Sequence, residues 1–424
     1  MPAKTKHKRF RRVLMLHPHG HVEYPPPLGK TDTGGQTIYV LQLAQALAKH
    51  GIKVDIFTRQ LDDLPAEEAV GKDVRIIRIE ACGTEFIPKE KIYETIPTLA
   101  KGIRQWIGKK RVRYDVIHSH YWDGGYAGML LSRSEKIPHV HTPHSSGKVK
   151  NLEMRAEGTP PAELRSIYRF QVRNQIEERI LKQADATIVL SETNRIQLLQ
   201  YYDVNYERLH VIYPGVDTSV FNPKPQAIDR KHRLEPNAIL TMSRMVPAKG
   251  LDRVIEALAQ IKRVPFHLYM GGSVHDDFQS EEERVTERRL NRLTKRYRLE
   301  KRVTFLGNVP HGKQLASYYR QAQVFVLAGR YEPFGLTTIE AMACGTPPIV
   351  SDVAGSREIV VDELNGFIVD TGDRAALADT IKVLLRNQKK RAKVADNAAH
   401  TIRKHYAWDK ISAEFKGLYE EVSA

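Results

Sequence analysis

Short apolar runs alternate with amphipathic stretches from one end of the chain to the other. Val13–Leu16, Val54–Phe57, Val74–Arg78, Val116–His118, Pro138–Thr142, Thr187–Leu190 and Leu209–Ile212 read as short buried strands. Between them, Ile38–His50, Pro97–Gly108 and Leu164–Ala184 carry apolar residues at helical spacing. Strands that are apolar on both faces and separated by helices predict a parallel sheet covered on both sides. After Tyr213-Pro214-Gly215-Val216-Asp217 comes Phe221-Asn222-Pro223-Lys224-Pro225, a proline-rich polar segment that suits a linker. A second alternation follows, with strands over Ala238–Met242, Phe266–Met270, Val303–Phe305, Val324–Leu327, Pro348–Val350 and Gly366–Ile368. The last segment, Ala407–Val422, places Trp408, Phe415 and Tyr419 at helical spacing, the pattern of a helix docked on a core.

The predicted fold class is therefore α/β, with two doubly wound Rossmann-like domains facing each other across a ligand cleft. The expected domains are residues 1–222, residues 223–406 and a C-terminal helix, 407–424, packing back on the first domain. Ligands of such sheets bind beyond the carboxyl ends of the strands, so residues at strand ends carry the chemistry.

Composition narrows the picture. At 424 residues the chain exceeds what one core supports, and 41% hydrophobic residues allow ample burial. No apolar run reaches the ~18 residues of a membrane span. The basic stretch Met1–Arg12 lacks the apolar core of a signal peptide. Only Cys82 and Cys344 are present, too few for a disulfide framework or a cysteine metal site. A cytoplasmic protein with no membrane partner is expected. The formal charge of +16 is scattered over the runs Lys4–Arg12, Lys109–Arg113, Arg284–Arg298 and Lys389–Lys393. No nucleic-acid module accompanies it, and no nucleic-acid partner is expected.

Four constellations sit at predicted strand ends. In Thr31-Asp32-Thr33-Gly34-Gly35-Gln36, paired glycines precede a helix and let backbone amides approach a ligand; a helix capped by Thr31, Asp32 or Thr33 is the ordinary alternative. In His141-Thr142-Pro143-His144-Ser145-Ser146-Gly147-Lys148, His144 closes a strand and stands at the mouth of the first sheet. His17, His19, His21, His118 and His120 also lie at strand ends, but their spacing fits no standard zinc pattern. Ser243–Gly250 holds Arg244 and Lys249 around a turn, a guanidinium fork and an ammonium suited to one diphosphate. In Tyr331–Val350, Glu332 and Glu340 are separated by seven residues across a glycine-bearing turn into a helix. Gly335, Leu336 and Thr337 are placed where a helix N-terminus leaves amides unpaired. A capped helix with one acid at its start and one on its face would give the same spacing.

Together Thr33-Gly34-Gly35-Gln36, the His144 loop, Arg244 with Lys249, and Glu332 through Glu340 resemble retaining GT-B glycosyltransferases of the sucrose-phosphate synthase type, in glycosyltransferase family 4. The resemblance covers nearly the whole chain. It implies an acceptor-binding first domain and a nucleotide-sugar-binding second one. Gly34, Gly35, Gln36 and Tyr121 would meet the acceptor, Lys89 would reach it from an inserted loop, and Lys150 and Arg173 would hold its phosphate. Arg244 and Lys249 would hold the nucleotide diphosphate with Phe334 and the Gly335, Leu336 and Thr337 amides, and Glu340 the ribose. Glu332 would contact the transferred hexose with His144 beside its anomeric carbon, and backbone near Asn308 and Val309 would read the base.

The activity so implied is retaining transfer of glucose from UDP-glucose, or ADP- or GDP-glucose, to fructose 6-phosphate. No metal and no cofactor are implied, and a separate sucrose-phosphate phosphatase is the expected partner because the chain is too short for the phosphatase-like extension of larger members. Mannosylfructose-phosphate synthase, sucrose synthase and transferases with other acceptors carry similar segments and stay open, as does a non-catalytic sugar-nucleotide or nucleic-acid binding protein. Two departures stand out. Val246 and Gly250 occupy positions where sucrose-phosphate synthases usually have an acidic residue and asparagine. A further phosphate-binding arginine has no clear counterpart, Lys101 and Arg104 being the nearby candidates.

Overall fold

The computed structural model describes residues 10–27, 30, 32–156, 158–226, 229–272, 281–330, 332, 334–370 and 372–424. Thr31, Tyr331, Pro333 and most of the basic run Lys4–Arg12 lie outside the described residues. Two compact units are formed: one of residues 10–27, 32–213 and Asp409–Ala424, the other of Pro214–Trp408.

The first unit holds an eight-stranded sheet among the described residues. Its strands are β1 (Arg12–Leu16), β2 (Lys53–Arg59), β3 (Glu67–Gly71), β4 (Val74–Ile79), β5 (Val116–His120), β6 (His139–Thr142), β7 (Ala186–Val189) and β8 (Leu209–Val211). Their order is β3-β4-β2-β1-β5-β6-β7-β8, and all pairs are parallel except β3 with β4. β3 escaped the sequence reading because Glu67, Glu68 and Gly71 interrupt any apolar run, as an edge strand tolerates. Leu14, Leu16, Phe57, Ile77 and Ile117 of the sheet pack with Leu99, Ile103 and Ile107 of the helix Ile96–Lys110. The sheet order reverses at β1, between β2 and β5, and the carboxyl ends of β1, β5 and β6 carry the candidate residues.

Leu164–Ala184 is not one helix as predicted. It is two, Pro161–Ser166 and Phe170–Gln183, separated by a break in which Arg169 adopts a left-handed φ of 50°. Apolar residues keep helical phase across the break, so periodicity alone could not find it. In the helix Trp408–Val422, Tyr419 stacks on Phe10 and hydrogen-bonds His118 Nδ1 through its hydroxyl.

The second unit holds a six-stranded, all-parallel sheet among the described residues: β9 (Ala238–Met242), β10 (His267–Gly271), β11 (Val303–Gly307), β12 (Val324–Leu327), β13 (Pro348–Ser351) and β14 (Phe367–Val369). The order β11-β10-β9-β12-β13-β14 is that of a doubly wound nucleotide-binding sheet, switching direction between β9 and β12. Arg244 and Lys249 follow β9, and Glu332 and Glu340 follow β12, so both groups flank the switch point. Among the described residues no helix is long and apolar enough to cross a membrane.

Candidate functional site

In the first unit Lys89, Tyr121, Lys150 and Arg173 line one small pocket with Glu90, Trp122, Tyr168 and Phe170. Different elements deliver them. Tyr121 opens the helix Tyr121–Glu135 directly after β5, with a left-handed φ of 65° that a bulky side chain rarely adopts. Lys150 stands on the helix Gly147–Ala156 and Arg173 on Phe170–Gln183.

Arg173 is almost wholly buried, and every nitrogen of its guanidinium has a protein partner. Nε donates to Glu177 Oε1 at 2.7 Å, Nη1 to the Tyr121 hydroxyl at 2.9 Å, and Nη2 to the carbonyl and hydroxyl of Ser145. Burial, the largest single influence, pulls its pKa down, but Glu177, through charge and hydrogen bond, together with Tyr121 and Tyr202 raises it by more, and the net shift is upward. Glu177 also accepts the Gly147 amide at 2.9 Å and the Tyr202 hydroxyl, tying Arg173 to the helix that carries Lys150.

Lys89 is similarly committed. Its ammonium lies 2.5 Å from Asp32 Oδ1 and 3.0 Å from Glu90 Oε1, and its amide donates to Asp32 Oδ2. Burial opposes the ammonium, yet Asp32 and then Glu90 raise its pKa overall. Asp32 therefore spends its carboxylate on Lys89, and the helix Gly35–Lys49 starts from Gly34 without a side-chain cap. A Cβ at Gly34 would meet nothing within 4 Å, so internal packing leaves that face open. Gln36 donates to His17 Nδ1 at 3.1 Å, which leaves His17 Nε2 to donate to Thr37 Oγ1. Lys101 and Arg104 do not line the pocket; Arg104 pairs with Glu135 on the outer face of its helix.

Histidines fill the strand ends of this unit. His17, His118, His120, His139 and His141 are buried and His144 is half-buried. Loss of hydration drives every one of them below the usual histidine pKa, His139 and His144 to about 3. His144, at a left-handed φ of 58°, shares a 3.0 Å hydrogen bond between its Nε2 and His120 Nδ1. Neutral imidazoles act there as hydrogen-bonding groups, not charges. His19 donates from Nδ1 to the fully buried Asp123 at 2.7 Å. Among the described residues no group of three His, Cys, Asp or Glu is arranged to hold a metal ion.

In the second unit Lys249 Nζ lies 2.8 Å from Glu332 Oε2. Arg244 donates from Nε to Glu283 Oε1 at 3.0 Å, and its side chain is 64% exposed. Two of the fork's three nitrogens thus stay available to a ligand among the described residues. Gly250 adopts φ 61°, and a Cβ there would sit 2.0 Å from the Ala328 carbonyl oxygen. On this backbone any side chain, asparagine included, would therefore force the Ala328 strand end to move. Gly335, at φ 100°, turns the chain into the helix Leu336–Ala343, whose first amides have no intrahelical acceptor. Glu340, inside that helix and largely buried, accepts from His311 Nε2 at 2.9 Å and from the Tyr319 hydroxyl at 3.2 Å. Val309 and Phe334 are buried.

Sequence reasoning missed Glu177, Glu283, His311 and Tyr319. Glu283 borders a charge-dense run whose helical spacing pointed to a solvated face, and its 3% side-chain exposure is set by folding alone.

The Glycosyltransferase Family 4 model matches residues 33–220, and the Glycosyl transferases group 1 model matches residues 225–401. The mannosylfructose-phosphate synthase of Agrobacterium fabrum is 33% identical, covering 99% of this chain and 93% of that protein. The D-inositol 3-phosphate glycosyltransferase of Corynebacterium efficiens is 30% identical, covering 97% and 96%. Among solved structures, sucrose-phosphate synthase from Thermosynechococcus elongatus matches with a TM-score of 0.83 at 30% identity, covering 97% of this chain and 99% of that one. With matches in both units and relatives aligned over nearly their full length, the chain belongs to glycosyltransferase family 4 and is a glycosyltransferase of the GT-B fold.

Proposed function

We propose that this glycosyltransferase moves glucose, with retention, from UDP-glucose to the sugar phosphate fructose 6-phosphate, giving sucrose 6-phosphate and UDP. The observation that carries the reading is the pocket in which Lys89, Lys150 and Arg173 converge. Three cations around one small pocket suit a phosphorylated acceptor, because charge-assisted hydrogen bonds to phosphate are the strong ones. The names of the three relatives agree, each specifying a phosphorylated sugar or polyol.

In this reading the first unit binds the acceptor. Lys150 holds the phosphate, Lys89 joins it by exchanging Glu90 for a phosphate oxygen while keeping Asp32, and Gly34, Gly35 and Gln36 meet the sugar. Arg173 is already tied to Tyr121 and Ser145, so it shapes the pocket and adds its field. The second unit binds the donor. Arg244, Lys249 and the amides of Gly335–Thr337 stabilise the charge that builds on the diphosphate as the C1–O bond breaks. An arriving diphosphate competes with Glu332 for Lys249, which frees the carboxylate to accept hexose hydroxyls. The new C1–O bond forms on the face the diphosphate leaves, and the acceptor proton passes to a diphosphate oxygen. Glu340 takes the ribose hydroxyls, and the backbone at Val309 faces the base. His144, neutral through loss of hydration, offers a hydrogen bond to the hexose without a competing charge.

A second reading has a specific observation behind it: the 33% identical relative is a mannosylfructose-phosphate synthase. Nucleoside diphosphate release separates the two. Release from UDP-glucose that depends on fructose 6-phosphate is expected. Release from GDP-mannose with fructose 6-phosphate replaces glucose by mannose, and release with fructose alone removes the sugar-phosphate reading.

A further inference from the structure

Glu340 presents two oxygens, and each already has one protein donor. His311 Nε2 lies 2.9 Å from Oε1, and the Tyr319 hydroxyl lies 3.2 Å from Oε2. Both donors are themselves fixed. Phe221, almost fully buried, packs its ring 5.1 Å from His311 and 6.3 Å from Tyr319. Tyr319 is wholly buried and meets Phe325 edge-on at 5.6 Å. Burial, reinforced by Glu340, raises the Tyr319 pKa, so its hydroxyl remains a donor. His311 also sits in the loop between β11 and the helix Lys313–Gln321, the loop that carries Asn308 and Val309.

An ionised carboxylate has about four lone-pair directions. Two are taken here, which leaves one on each oxygen. That remainder matches a pair of neighbouring hydroxyls, and a carboxylate held in advance loses less rotamer freedom when the ligand binds.

We propose that His311 and Tyr319 are positioning residues for the donor ribose: they lock the Glu340 carboxylate so that its remaining lone pairs accept the 2′- and 3′-hydroxyls of a nucleoside diphosphate sugar. The inference rests on the reading that Glu340 holds the ribose. It adds that the base-side loop and the ribose carboxylate are mechanically one device, joined at His311.

The test is calorimetric titration with UDP, ADP and GDP, then with the 2′-deoxy counterpart of whichever binds tightest. His311→Ala is expected to weaken binding of the ribonucleotide about tenfold, the scale of one hydrogen bond to a charged group. The 2′-deoxy counterpart, lacking one of the hydroxyls, should lose less than about threefold by the same measure. Tyr319→Phe, which keeps the buried ring, should weaken the ribonucleotide in the same selective way, and His311→Gln, which keeps an N–H donor, should recover most of the loss. In turnover assays the donor KM should rise while kcat holds. Equal weakening of ribo- and deoxynucleotide by both His311→Ala and Tyr319→Phe would mark a merely structural role and overturn the proposal. So would unchanged binding in both variants while Glu340→Gln weakens it. If Glu340→Gln itself leaves every nucleotide unaffected, the donor-site reading falls and takes this inference with it.

Discussion

The two units solve the same problem, presenting polar groups at the carboxyl ends of a parallel sheet, in opposite ways. In the first unit the strand ends are packed with neutral histidines, and the central cation, Arg173, has a side chain only 5% exposed and spends its guanidinium on protein partners. In the second unit Arg244 is 64% exposed and is held through Nε alone. Arg173 is fixed by the protein alone, whereas Arg244 keeps two guanidinium nitrogens without a protein partner among the described residues. In the proposed reading, the rigid wall around Arg173 sets the shape of the acceptor pocket while the lysines supply the contacts to phosphate. The unused donors of Arg244, in the same reading, face solvent, where a diphosphate can take them up.

The largest effect should come from breaking the rigid side of that contrast. Glu177→Gln leaves the Arg173 charge buried without its counter-ion, and loss of one partner of a buried pair costs about 3–5 kcal/mol. Chemical denaturation should show that loss in the first unit, with nucleotide binding by the second unit unchanged. On the exposed side, Arg244→Ala should cost about 10²–10³-fold in kcat, the scale for removing a stabiliser of developing charge. Its melting temperature should fall by a few degrees at most, because the arginine itself is mostly exposed while the buried Glu283 loses one partner. Smaller still, Lys150→Ala should raise the KM for fructose 6-phosphate about 10-fold, from loss of one charge-assisted contact, and leave the KM for fructose unchanged.

Acidification sharpens the comparison one histidine at a time. An unfolded imidazole takes up a proton below about pH 6.5, while the desolvated ones, His139 and His144 among them at about 3, do not. The unfolded state then binds more protons, so stability is full above that pH and falls as pH drops through the window. Each such group costs about 1.4 kcal/mol per pH unit there. Thermal melts at pH 7 and pH 5, read by limited proteolysis, should show the first unit failing first. Loss of the second unit first would contradict the histidine account.

Periodicity made the architecture legible: apart from the edge strand β3, strand positions in both sheets follow apolar runs, because a strand covered on both faces is apolar nearly throughout. What it could not reveal was pairing across the fold. Asp32 reads as a helix cap but spends its carboxylate on Lys89, fifty-seven positions away. Glu177 and Glu283 read as ordinary helix acids, yet each is buried against a site arginine. Arg244 and Lys249 were visible from their motif and Lys89, Lys150 and Arg173 entered through the family resemblance, whereas their counter-ions arise from topology that no local pattern encodes. Lys101 and Arg104 show the converse error, since sequence proximity to the inserted loop did not bring either into the pocket.

The most direct measurement is the ratio of kcat/KM for fructose 6-phosphate to that for fructose, with UDP-glucose as donor, in the parent protein and in Lys89→Ala/Lys150→Ala. A parent ratio of at least about 100, falling to within about tenfold of unity in the double variant, is expected if the pocket reads the phosphate through charge-assisted contacts. A parent ratio near one, or a ratio untouched by the double substitution, would contradict a phosphate-reading acceptor pocket.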